Sequence, residues 1–143
     1  MSGTLTDTYV AALQHDLVEF PHQATRLGVV RKPLPWLFSV VDENRRELGP
    51  PDELLSVVNE RESEMQDAGL QAAEAHNQAM EEVDFDRRYR AYLADSTEAQ
   101  SAIDDVRAML SAGETVVLVC YENTAEKRCH RTLLRDWIRP SDA

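Results

Sequence analysis

Val116-Val117-Leu118-Val119-Cys120 is five consecutive apolar residues, with Glu114 shortly before it and Tyr121-Glu122-Asn123 directly after it. No other run constrains the chain as much. It has the length of a strand, and a continuous rather than alternating apolar pattern marks a strand covered on both faces, as in a parallel sheet. Parallel strands cannot be joined by tight hairpins, so the rest of the chain must provide crossover helices and further strands.

The remaining sequence supplies them. Pro50-Pro51-Asp52 opens a helical pattern carried by Leu54, Leu55, Val57, Val58 and Met65, and Gly69 separates it from a second one on Ala72, Ala73, Ala79, Met80 and Val83. Phe85, Tyr89, Tyr92 and Leu93 stand at i, i+4, i+7 and i+8, an aromatic stripe that reads as core rather than as a cofactor box. Thr97 with Gln100 fits a capping box ahead of Ile103, Val106 and Leu110, and Gly113 falls just past that helix. Near the beginning, Tyr9, Val10, Leu13 and Leu17 predict a first helix capped by Thr6 or Asp7 and closed by Pro21. Leu27-Gly28-Val29-Val30 predicts a strand that ends in the basic, proline-stiffened loop Arg31-Lys32-Pro33-Leu34-Pro35-Trp36. Leu37 to Val41 fits strand and helix equally well. A last helix carries Leu133, Leu134, Trp137 and Ile138 and stops at Pro140. The expected fold class is α/β: a small three-layer sandwich with a mainly parallel sheet, helix-rich, forming a single domain over residues 1–143.

The formal net charge is −11, from 26 acids and 15 bases, and only Lys32 and Lys127 among the bases are lysines. Residues 60–86 hold nine acids against Arg61 alone and read as a solvated face. Such a surface disfavours nucleic acid, which is bound through clustered Lys and Arg. It suits a halophilic protein, hydrated in molar salt where repulsion between charges is screened. No apolar run reaches the length of a membrane span, and the start lacks the pattern of a signal peptide, so the expected location is cytoplasmic with no membrane partner. In that compartment Cys120 and Cys129 default to thiols, although a disulfide between them is geometrically open.

Chemistry concentrates in Cys120-Tyr121-Glu122-Asn123-Thr124-Ala125-Glu126-Lys127-Arg128-Cys129-His130-Arg131, which runs from the buried strand through a polar loop into the last helix. Ligands of open α/β sheets bind at this end of the strands, and a helix N-terminus there attracts anions. Arg131, Arg128 or Lys127 can clamp a phosphate or carboxylate, and Arg31 and Lys32 join them if their strand is a parallel neighbour. The last helix starts either at Asn123, which with Glu126 matches a capping box, or near Arg128, where the Cys129, His130 and Arg131 amides would face a ligand. Cys129, beside Arg128, Arg131 and His130, is the better candidate for a reactive thiol; Cys120 reads first as an apolar core residue. Position 126 is Glu where a phosphatase- or rhodanese-like cradle has Arg, which argues against Cys120 as a nucleophile. His130 is either a satisfied residue at the core margin or a proton carrier, and Glu122 either orients it, acts as a base, or is a solvated acid. Adjacent Cys129 and His130 do not match zinc spacing, so no metal site is expected, and no cofactor or oligomeric state follows from the residues.

A hydrophobic strand ending in Cys120-Tyr121-Glu122 and followed by Cys129-His130-Arg131 resembles the hallmark of the domain of unknown function 488 family. Thr8-Tyr9, Val30-Arg31-Lys32-Pro33 with Trp36, Leu48-Gly49-Pro50-Pro51, and Asp84-Phe85 with Tyr89 and Leu93 occur in the family's order, so the resemblance spans roughly residues 4–139. The acidic, Lys-poor composition is similar to that of salt-adapted archaeal members. The resemblance implies a three-layer α/β fold and a site around Cys120, Glu122, Cys129, His130 and Arg131, with Arg31 as a further member. It carries no reaction with it. The expected function is binding of an anionic, phosphate- or nucleotide-like small molecule by Arg31, Lys32, Arg131, Cys120 and Asn123, with Cys129, His130 and Glu122 available for chemistry. A thiol-dependent enzyme or redox sensor using Cys129, and a non-catalytic interaction module, are the other two classes.

Overall fold

A computed structural model of the chain describes residues 3–121 and 128–139. In order, the elements are β1 (Thr4–Tyr9), α1 (Val10–Gln14), β2 (Thr25–Gly28), β3 (Glu43–Asn44), α2 (Asp52–Asp67), α3 (Ala72–Glu82), α4 (Phe85–Asp95), α5 (Thr97–Ser111), β4 (Thr115–Cys120) and α6 (His130–Ile138). The four strands form one sheet in the order β1-β4-β2-β3, and every pairing is parallel. The fold is the expected helix-rich α/β class.

The apolar run at 116–120 occupies the centre of that sheet. Val116, Val117, Leu118 and Val119 are each 0% exposed. Because successive side chains point to opposite faces, burial of all four means that both faces of β4 are covered and the sheet is the middle layer. Leu27 of β2, Tyr89 and Leu93 of α4, Ile103 and Val106 of α5, and Leu134 of α6 complete the core.

The first element departs from expectation. Residues 4–9 form a strand, pairing Thr4 with Thr115 through Tyr9 with Cys120, and only Val10–Gln14 is helical. Thr6 and Asp7 are therefore strand residues rather than caps. Thr-Leu-Thr-Asp-Thr-Tyr alternates and is β-branched at every second position, and the partner strand 111 residues away decides in favour of the ladder. Asp16 at φ 53° turns the chain out of α1, while the Leu17 amide bonds the Ala12 carbonyl at 2.8 Å, which ends the helix well before Pro21.

Three smaller features complete the framework. The ambiguous stretch after Trp36 is settled by a 3-10 turn over Pro35–Ser39, and β3, only two residues long, had no sequence signal. Gly113 adopts φ 87° beyond α5, as its place in the sequence required. The cap of α5 is Ser96 rather than Thr97: its hydroxyl accepts the Ala99 amide at 3.2 Å. Ser96→Ala is expected to cost about 1 kcal/mol, read as a lower urea midpoint with an unchanged slope.

Candidate functional site

β2 and β4 are parallel neighbours, so the loops that follow them emerge on one rim. A cavity of about 420 Å³ opens there, bordered by Arg31 and Lys32 after β2, Cys120 and Tyr121 after β4, and Cys129 and His130 at the start of α6. Helices α2, α3 and α4 close it with Val58, Glu62, His76, Met80 and Phe85. Among the described residues its charged groups are Arg31, Lys32, Arg128 and Glu62.

Two side-chain clamps hold the rim. Asn44 of β3 accepts the Val30 amide at 3.0 Å and donates to the Val30 carbonyl at 2.9 Å, extending the β2 ladder with a side chain. Gly28 makes room for that amide, since a Cβ there would lie 2.5 Å from Asn44 Oδ1. On the opposite side α3 does the same to Arg128. The Arg128 amide donates to Asn77 Oδ1 at 2.8 Å, and His76 Nε2 donates to the Arg128 carbonyl at 2.7 Å. His76 Nδ1 lies 3.4 Å from a Glu62 carboxylate oxygen, a contact that is an ion pair when the ring is protonated. Both backbone groups of Arg128 are therefore fixed immediately before Cys129.

Cys129 is the residue before α6, with extended backbone (φ −140°, ψ 147°), and His130 opens the helix. The later of the two expected starts is the one observed. The positive end of the helix dipole consequently bears on Cys129. His130 is 9% exposed, and its Nε2 lies 2.6 Å from the Val29 carbonyl oxygen. A carbonyl only accepts, so Nε2 carries a proton, and in the neutral ring Nδ1 is left as the acceptor. Nδ1 faces Cys129 Sγ at 3.5 Å. Tyr89 packs edge-on against the imidazole at 5.6 Å and fixes its plane. A thiol beside the basic nitrogen of a ring held from its far side is the arrangement that generates a thiolate.

Cys120 is in a different state. Burial pushes its thiol well above the ordinary cysteine value, hydrogen bonding with Cys129 adds to this, and His130 and Arg131 act in the opposite sense. Burial likewise drives the Tyr89 phenol well above its usual range. Both groups stay neutral in the folded protein at pH values where the unfolded chain begins to ionise. Their contribution to stability is complete below the unfolded values and is lost as pH rises above them.

The structure redistributes the expected roles of the arginines. Arg131 does not border the cavity. It is 2% exposed, its Nε donates to Asp7 Oδ1 at 2.9 Å, and its Nη1 donates to Cys120 Sγ at 3.0 Å. Arg135 pairs with the second Asp7 oxygen. Arg131 therefore ties α6 to β1 through Asp7. Arg31 does reach the cavity, but its Nε donates to the Pro50 carbonyl at 3.0 Å and its Nη2 to the Gly49 carbonyl at 3.1 Å and the Tyr92 hydroxyl at 2.7 Å. Lys32 stands on the rim, and Arg128, 39% exposed at its side chain, pairs with Asp86 at 2.8 Å. Glu122 and Asn123, and with them Lys127 and the Asn123/Glu126 capping box, lie outside the described residues. Asp7, His76, Asn77 and Asn44 were missed in the sequence. Asp7 was legible only as a cap, and the other three carry no local pattern because their partners lie 14 or more residues away.

Among the described residues no group of three or more His, Cys, Asp or Glu is placed to hold a metal ion. None of the described helices is long and apolar enough to cross a membrane. A family model, DUF488-N3a, described as the active DUF488-N3 subclade, matches residues 10–142. No curated protein and no solved structure matches the chain. With nearly its whole length matched, the chain belongs to the DUF488 family, in this N3 subclade.

Proposed function

We propose that this DUF488-N3 member binds an anionic, phosphate- or nucleotide-like small molecule in the rim cavity, where Cys129 serves as a thiol nucleophile. The observation that carries the reading is the orientation of His130: with Nε2 donating to Val29, Nδ1 faces Cys129 Sγ at the wall of a cavity lined by Arg31, Lys32 and Arg128. His130 takes the thiol proton, and the positive end of α6 favours both the thiolate and a bound anion. Lys32 and Arg128 attract the anion, and Arg31 adds a fixed donor. The description of the subclade as active accords with a chemical role for this pair.

Thermal unfolding against inorganic phosphate, nucleotides and carboxylates tests the binding. A ligand at about 100 times its Kd adds about 2.7 kcal/mol of stability, several degrees for a domain of this size. Lys32→Gln and Arg128→Gln, which remove rim charges with little effect on folding, are expected to reduce that shift by at least half. No shift with any anion, or a shift equal in wild type and both variants, would refute the site.

A further inference from the structure

The sequence contains two cysteines, and the fold brings both to one place. Cys120 closes β4 and Cys129 immediately precedes α6, and both border the rim cavity. The two thiols influence each other's ionisation: Cys129 helps to push the Cys120 thiol up. Both are buried and unbridged, and both border the cavity, which gives a small solute a route to them. Their partners differ. Cys129 faces the basic nitrogen of His130 at 3.5 Å, whereas Cys120 accepts a hydrogen bond from the Arg131 guanidinium at 3.0 Å.

That asymmetry describes an attacking thiol and a second one held in reserve. We propose that Cys120 is the resolving thiol of Cys129, capturing an oxidised Cys129 as an intramolecular disulfide. The inference rests on the reading of Cys129 as the reactive thiol and adds a redox step to it. The Cys129 thiolate attacks a peroxide; one oxygen is transferred to sulfur, the O–O bond breaks, and hydroxide leaves. The resulting sulfenic acid is attacked by Cys120: an S–S bond forms, the S–O bond breaks, and the departing hydroxide leaves as water with the Cys120 proton. Arg131 stabilises the charge that develops on the Cys120 sulfur during the attack. Two equivalents of a small thiol reduce the disulfide and restore both cysteines. Capture in this way protects Cys129 from irreversible over-oxidation, and it closes the nucleophile while peroxide is present.

The test uses the full chain, reduced, then treated with a small excess of hydrogen peroxide and followed by intact mass and peptide mapping. The wild type is expected to lose the mass of two hydrogens, to yield a cross-linked pair of peptides carrying positions 120 and 129, and to recover with dithiothreitol. Cys120→Ala is expected to gain oxygen at Cys129 in a form that dimedone traps, and Cys129→Ala to do neither. Oxygen gain at Cys129 in the wild type without the cross-link would overturn the resolving role and leave Cys129 reactive. A Cys129 inert to both peroxide and iodoacetamide would overturn the resolving role together with the reading beneath it. Should Cys120→Ala fail to fold, the wild-type comparison of cross-link against oxygen gain decides alone. Disulfide-linked dimers in place of the internal bridge would also overturn it.

Discussion

Asp7→Asn is expected to destabilise the protein by about 3–5 kcal/mol, the range for breaking a buried ion pair on one side. Asp7 is 9% exposed at its side chain and accepts from both Arg131 and Arg135. The amide would take the carboxylate away from an Arg131 guanidinium that is 2% exposed. For a domain near this size the loss lowers Tm by about 10 °C, measurable by calorimetry or circular dichroism. Arg131→Gln is expected to cost less, because Asp7 keeps Arg135. Asp105→Asn is the control. Its bond to Arg45 is short, at 2.7 Å, but the two side chains are 55% and 31% exposed, so a change within about 1 kcal/mol is expected. Equal losses for Asp7→Asn and Asp105→Asn would show that burial confers no special weight on the first pair.

His130→Gln should separate chemistry from folding. Glutamine retains a donor for the Val29 carbonyl but has no basic nitrogen for Cys129. Alkylation of Cys129 by iodoacetamide at pH 7 is expected to fall by about tenfold, because an unassisted thiol with a pKa near 8.5 is only a few per cent thiolate at that pH. The two proteins should converge above about pH 9, where an ordinary thiol ionises by itself. Cys120, buried and with its thiol pushed up, stays silent at neutral pH, so the signal belongs to one residue. A variant that reacts as fast as the wild type at pH 7 would remove His130 as the base.

The parts of this fold that were legible in the sequence are those whose cause is local. The 116–120 run announced a covered parallel strand, the aromatic spacing of Phe85, Tyr89 and Leu93 announced a buried helix face, and Gly113 announced a helix end. What the sequence did not disclose depends on distant partners. Thr6 or Asp7 read as the cap of a helix because Tyr9, Val10 and Leu13 share that period, and only pairing with β4 makes residues 4–9 a strand. The site divides in the same way. Cys129 with His130 was visible as a motif, and the later start of α6 fixes their relation. Arg131 was visible as well, but its direction was not: a charge near a strand end looks the same whether it meets a ligand or an aspartate 124 residues away. His76 and Asn77 looked like ordinary residues of an acidic helix, and their grip on the Arg128 backbone exists only in three dimensions.

The central place of β4 also orders events during synthesis. Among the described residues β1 pairs only with β4, and β2 has β4 on one side and the two-residue β3 on the other. Residue 115 comes after about four-fifths of the 143-residue chain. Until it leaves the ribosome, the N-terminal strand has no partner, while helices α2 to α5, contiguous in sequence, can already pack on one another. During that interval β1 is an unpaired edge, the kind of segment most open to pairing with other chains. Insertion of β4 between two waiting strands closes the sheet, and the rim that carries Cys129 comes into being in the same late step.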